Sequence, residues 1–191
     1  KLVGAEIAHL NSDHPLTMGI LQQSLQPERS YNYSLRFHWP VHEQVALSLN
    51  TYWINIQDRI VLGSQLDGDD HAMLADLLAT SELDKVQFFS NALRTRTLGI
   101  DVGYEQEWNL APEKSLHLRL VGSINRTRLA QVALPTALQG LETVVFNRQN
   151  QARLEHGQPN NKVIAQLSWQ SQQLSLSLQA TRFGEVTFHH P

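Results

Sequence analysis

At 191 residues the chain has the length of one good-sized domain, and its formal net charge of −3 offers no basic excess for nucleic acid. It is 41% hydrophobic, yet no apolar run reaches the roughly 18 residues of a membrane helix, which excludes a helical membrane protein but not a barrel. The absence of cysteine removes disulfides, thiol catalysis and thiolate metal sites, and leaves the compartment open.

In chain order, Lys1 to Ser24 shows no sustained alternation and reads as a loop or tail with room for a helical turn. From Tyr31, the apolar Tyr31, Tyr33, Leu35, Phe37 and Trp39 alternate with Asn32, Ser34, Arg36 and His38, the period of two that places neighbours on opposite sheet faces. A second strand starts at Val45, with Leu47 and Leu49 in phase. Its later apolar residues, Tyr52, Ile54, Ile56 and Ile60, are out of phase, which predicts a β-bulge or twist near Thr51. The stretch LGIDVGYEQEW sets Leu98, Ile100, Val102, Tyr104 and Trp108 against Gly99, Asp101, Gly103, Glu105 and Glu107. Three more alternations follow, carried by Leu116, Leu118, Leu120 and Ile124, by Val163, Ala165, Leu167 and Trp169, and by Leu174, Leu176, Leu178 and Ala180. The expected fold is all-β, an antiparallel meander of about six strands.

The links alternate in length. Pro40 to Gln44, Ala111 to Lys114 and Gln170 to Gln172 are turn-like, whereas Gly63 to Asp84 and Gln131 to Asn160 are long. All short turns therefore lie at one end of the sheet, as in membrane barrels with tight periplasmic turns and long extracellular loops. Met73, Leu74, Leu77 and Leu78 have helical spacing, with Asp69 or Asp70 as candidate N-cap, and Pro135 can start a helical turn over Leu134 to Leu141. Asn147 to Asn161 is polar and reads as irregular.

What the apolar face touches decides the class. Trp39, Trp108 and Trp169 belong to apolar sets and each precedes a short turn, so all three gather at one end, the arrangement of an aromatic girdle at a membrane interface. Lipid is the better reading, and the sheet is expected to be part of a transmembrane β-barrel. Trp53, beside the expected phase change, supports neither side.

Four segments carry a resemblance. LQPERSYNYSLRF (Leu25 to Phe37) resembles the L-x-P-E-x-S-x-N-Y-S-x-G-F segment of TonB-dependent outer-membrane receptors, and NTYWINIQDRIVL (Asn50 to Leu62) their Y-x-I-x-I-x-D-R-I strand. VQFFSNALRTRTLGIDVGYE (Val86 to Glu105) resembles their F-F-T-N-A-x-D-T-R-T-x-G-x-D segment, and ATRFGEVTF (Ala180 to Phe188) a later strand with an aromatic-Gly-Glu pattern. Arg36 stands where the family often has glycine, and Arg94 where it often has aspartate. Six strands are too few to close a barrel, since about eight is the smallest and such transporters need about 22. Residues 1–191 are thus expected to be one β-barrel segment from the C-terminal half of a receptor, with plug and final strands outside it.

The resemblance implies a Gram-negative outer-membrane location and energised uptake of scarce ligands such as siderophores, haem, metals, cobalamin or sugars. Its implied partners are outer-membrane lipid, the TonB energy-coupling system acting through the plug, and a small-molecule or metal-chelate ligand. No cofactor, nucleic acid or enzymatic step is expected. An isolated segment with two open sheet edges and a bare apolar face is expected to self-associate.

Candidate ligand-binding residues are few. Asp67, Asp69, Asp70 and His71 (in DGDDH) offer hard oxygens and an imidazole, but the twelfth position from Asp67 is Leu78, not the Glu of an EF-hand, and a solvated helix start is the plainer reading. Arg94 and Arg96 could meet an anion, with ordinary salt bridging the plainer expectation. Asp101, Glu105 and Glu107 share one face and are expected to pair with Arg119 or His117 on the next strand rather than to catalyse. No GxSxG elbow, HExxH or glycine-rich phosphate loop is present. The rival reading is a soluble β-sandwich or barrel that binds carbohydrate or a small ligand, in which the three tryptophans would be buried between two sheets.

Overall fold

A computed structural model describes residues 7–10, 14–21, 24–70, 72–81 and 83–187. The elements run β1 (Ile7–Leu10), α1 (Pro15–Leu21), β2 (Arg29–His42), β3 (Val45–Leu62), β4 (Leu66–Asp67), α2 (Ala72–Ser81), β5 (Lys85–Ala111) and β6 (Lys114–Val132). A 3-10 turn (Thr136–Leu138), α3 (Glu142–Val145), α4 (Arg148–His156), β7 (Asn161–Gln170) and β8 (Ser175–Phe183) complete the chain. The main path of the sheet is β2-β3-β5-β6-β7-β8, each strand antiparallel to its neighbour. The meander and the alternation of short and long links are as the residue pattern predicts. Among the described residues no helix is long and apolar enough to cross a membrane.

Three expectations need correction. The first segment holds the helical turn it has room for, the seven-residue α1, but is not otherwise merely loop: β1 pairs in parallel with the start of β5, Ile7 opposite Lys85. Asn147 to Asn161 is not irregular, because Asn147 caps α4 by accepting a hydrogen bond from Asn150 N–H at 3.0 Å. LGIDVGYEQEW lies within a strand of 27 residues that starts at Lys85, directly after the expected loop. And β3 does not change phase near Thr51; its pairing with β5 is unbroken from Val45 to Ile56. Tyr52 therefore lies on the polar face, over its register partner Gly99, where an added Cβ would come within 2.1 Å of the Tyr52 ring. Glycine there leaves the room the ring occupies, and the ring covers the bare backbone.

The true irregularity comes at Asp58, which has φ 55° in the left-handed region and lies inside the register shift Ile56/Arg59, next to a second shift at Arg59/Val61. Three segments meet there. Asn91 on β5 donates to the Asp58 carbonyl at 2.6 Å and to the Gln26 carbonyl at 2.8 Å, and accepts from Gln26 N–H at 2.7 Å. Glu28 accepts from Ile60 N–H at 2.7 Å, and Arg29 sits 3.7 Å from Asp58. Glu28, Asp58 and Asn91 each belong to a different resemblance segment. Glu28 and Asn91 satisfy backbone groups that the bulge at Asp58 leaves unpaired. Asn91→Ala should cost about 2–3 kcal/mol, since it strands two carbonyls and one N–H at once. Urea unfolding of the protein in micelles measures this; a loss no larger than that of an exposed strand substitution would show the bulge does not depend on Asn91.

The packed core is not under the tryptophans but at the long-loop end. Leu66, Leu74 and Leu78 from the first loop, Val86 and Phe88 from β5, and Leu138 and Val145 from the second loop form one buried cluster. A second joins Ala92 and Leu93 to Phe146, with Leu129 and Leu154 against it. Ser64 clasps the two loops: its N–H donates to the Val145 carbonyl at 2.7 Å, and its hydroxyl accepts from Asn150 Nδ2 at 3.1 Å. Toward the short turns the sheet is one layer thick, with Leu35 73% and Leu178 72% exposed.

Candidate functional site

Register fixes which side chains share a face, because cross-strand partners point the same way. One row runs Trp39–Leu47–Tyr104–Leu120–Ala165–Ala180, and another Trp108–Leu116–Trp169–Leu176. The three tryptophans thus lie on a single face, each within four residues of its turn. Among the described residues no second sheet covers them, and Trp39 is 54% exposed. At the far border of this face stand Tyr31, Tyr33 and Trp53, the last two with ring centroids 5.5 Å apart. This second aromatic border was hidden by the expected phase change, which put Tyr52 rather than Trp53 in the apolar set.

Between the borders, β5 presents Leu98, Ile100, Val102 and Tyr104. The ten steps from Leu98 to Trp108, at about 3.4 Å each and a tilt of about 45°, climb about 24 Å. Membrane barrels show an apolar band of roughly 25 Å flanked by aromatic girdles, and this face has that height and those borders.

The opposite face is polar and internally satisfied. Asp101 accepts from Asn50 Nδ2 at 3.0 Å and from Ser123 Oγ at 2.6 Å, and Glu105 pairs with Arg119 at 3.3 Å, as expected for a neighbouring-strand pair. Glu107 stands opposite His117. A recess of about 510 Å³ between Arg36, His38, Asn50, Asp101, Glu105 and Arg119 runs along this face. Its carboxylates accept fixed hydrogen bonds or ion pairs and are not paired with each other, an arrangement suited to lining a wet passage rather than to acid-base chemistry.

The predicted ligand residues separate into two places. In the first loop, Asp67 ion-pairs with Lys85 at 3.3 Å, accepts from Asp69 N–H at 3.1 Å, and donates its own N–H to Asp70 Oδ2 at 2.9 Å. These carboxylates build a turn fastened to β5; His71 lies outside the described residues. Among the described residues no three His, Asp or Glu side chains gather into a metal-binding group. Arg94 and Arg96 stand elsewhere, on the face of Leu98 rather than with the polar recess. The salt bridges expected of them are absent among the described residues, because their register partners are Gln131 and Arg128, not carboxylates.

A family model described as TonB dependent receptor-like, beta-barrel matches residues 8–188. No curated protein matches the chain, and no solved structure does.

Proposed function

The chain belongs to the family of TonB-dependent receptor β-barrels, outer-membrane transport proteins of Gram-negative bacteria, and from that premise we propose that it forms barrel wall and ligand-capturing loops for energised uptake of a scarce solute. The observation that carries the reading is a one-layer sheet with two unlike faces. One is apolar, about 24 Å tall and bordered by aromatics, and the other is a hydrogen-bonded polar lining. The apolar face meets outer-membrane lipid, the polar face the barrel interior. The two long loops, packed on a common core, stand at the entrance and touch incoming ligand.

In this reading the chain performs no bond chemistry. Its polar lining and loops bind, and the inner-membrane TonB system drives release by acting on a plug. The ligand belongs to the class that needs energised import: iron-siderophore, haem, metal, cobalamin or sugar. Apart from the rest of a receptor, β2 and β8 present open edges, so the isolated chain self-associates.

The test replaces residues 64–84 and 134–160 of the full-length receptor by short turns and offers the strain each ligand type as its sole limiting source. Expected is normal outer-membrane assembly with loss of growth on one of them. Unchanged growth on every source supported by the intact receptor would overturn the capture role.

A further inference from the structure

Beyond the aromatic border at Tyr33 and Trp53, the same face turns abruptly basic. Trp53, Leu98 and Arg126 form one row, and the next reads Tyr31–Asn55–Arg96–Arg128. Arg96 and Arg128 are direct cross-strand partners, a placement that sets two positive charges about 5 Å apart at their Cβ atoms and is unfavourable by itself. Arg96, Arg126 and Arg128 are exposed, and among the described residues none has an ion pair or side-chain hydrogen bond. In the same row the amide oxygen of Asn55, a residue only 8% exposed, also lacks a partner among the described residues. The three arginines and Trp53 line a recess of about 500 Å³ that opens beside Leu98, at the edge of the apolar band.

We propose that Arg96, Arg126 and Arg128 bind the phosphate-bearing headgroup of a membrane lipid whose acyl chains lie along the apolar face. The proposal rests on the reading of that face as lipid-exposed. Guanidinium forks match phosphate oxygens in pairs, and an anion between Arg96 and Arg128 converts their repulsion into two attractions. Trp53 lies at the depth where an indole meets headgroups. A soluble phosphate would find the same charges but no partner for the adjoining Leu98 and Ile100, so continuity with the apolar band selects a lipid. The site lies on the opposite face from the polar recess and is separate from solute capture. It anchors the loop-bearing end of the wall at a fixed depth.

The experiment uses the full-length receptor in nanodiscs of a neutral glycolipid doped with either phosphatidic acid or the matching diacylglycerol. Retained lipid is read by native mass spectrometry. The wild type should prefer phosphatidic acid by at least about ten-fold, the effect of one or two charge-assisted hydrogen bonds. R96Q/R126Q/R128Q should show no preference, whereas Arg36→Gln, on the polar face, should keep it. Thermal unfolding supplies a readout with opposite signs: the triple variant should be more stable than wild type in neutral lipid, where repulsion is relieved, and less stable with phosphatidic acid. Quenching of Trp108 and Trp169 by brominated acyl chains reports separately whether the apolar face meets lipid. Quenching with an unchanged lipid preference in the triple variant overturns the site and leaves the face assignment standing; absence of quenching overturns both. Equal protection of wild type by inorganic phosphate alone would also overturn the lipid assignment.

Discussion

A Val102→Arg receptor is expected to lose about 2–4 kcal/mol of folding stability in lipid, and a Val121→Arg receptor less than about 1 kcal/mol. The two valines are neighbours. Val121 is the register partner of Gly103, one residue from Val102, so the same charge is introduced on adjacent strands at nearly the same height. They differ in face. Val102, 51% exposed, stands midway along the apolar band between Leu98 and Trp108, where a guanidinium must be dragged out of water. Val121 points to the polar side and lines the recess with Asp101 and Glu105, which welcome a cation. Urea titration of the refolded full-length receptor in liposomes gives both numbers. On a water-facing sheet neither substitution would exceed about 0.5 kcal/mol. Equal costs would therefore remove the lipid-facing assignment and return the soluble sandwich to consideration.

That asymmetry was largely legible from alternation alone. LGIDVGYEQEW separates into the two faces the structure presents, and the tryptophans before the short turns fall on one face as their phase requires. At Tyr52, Ile54 and Ile56 alternation alone misleads, because these residues keep the strand's phase while sitting on its polar face. Alternation reports the polarity of a side chain's surroundings, and an apolar residue is tolerated on the polar face where something shields it. Tyr52 lies over Gly99, a partner on another strand that no window along β3 can include. Reading the phase as broken moved Trp53 off the apolar face and so concealed the second aromatic border.

The loops divide in the same physical way. The spacing of Leu74 and Leu78 was readable because α2 buries one stripe against Leu66 and Phe88. In α4 only Ala152 is buried, and its remaining face is polar, so periodicity was silent and only the cap Asn147 and the terminal Gly157 marked its ends. Residue type offers Arg94 and Arg96 only as groups that could meet an anion, with ordinary salt bridging the plainer expectation. Their face follows from their phase with Leu98, whereas the pairing of Arg96 with Arg128, thirty-two residues away, lies beyond local reading.

Phe88→Ala, by contrast with Val102→Arg, is expected to damage the loops and spare the wall. Phe88 is 2% exposed and stands where three segments converge: its carbonyl accepts from Gly63 N–H at the start of the first loop, and its ring belongs to the cluster that holds Leu74, Leu138 and Val145. Removing the ring should cost about 3–5 kcal/mol through lost burial and the cavity left behind. The wall below is held by separate ladder pairs along β3, β5 and β6, so the loss stays in the cap as local unfolding rather than spreading. Hydrogen exchange on the full-length receptor in micelles should show faster exchange in both α2 and α4, since Ser64 couples the second loop to the first. Amides from Leu98 to Trp108 should keep their wild-type protection. Faster exchange confined to α2 would mean the loops fold independently, and loss of protection across Leu98 to Trp108 would mean that cap and wall form one cooperative unit.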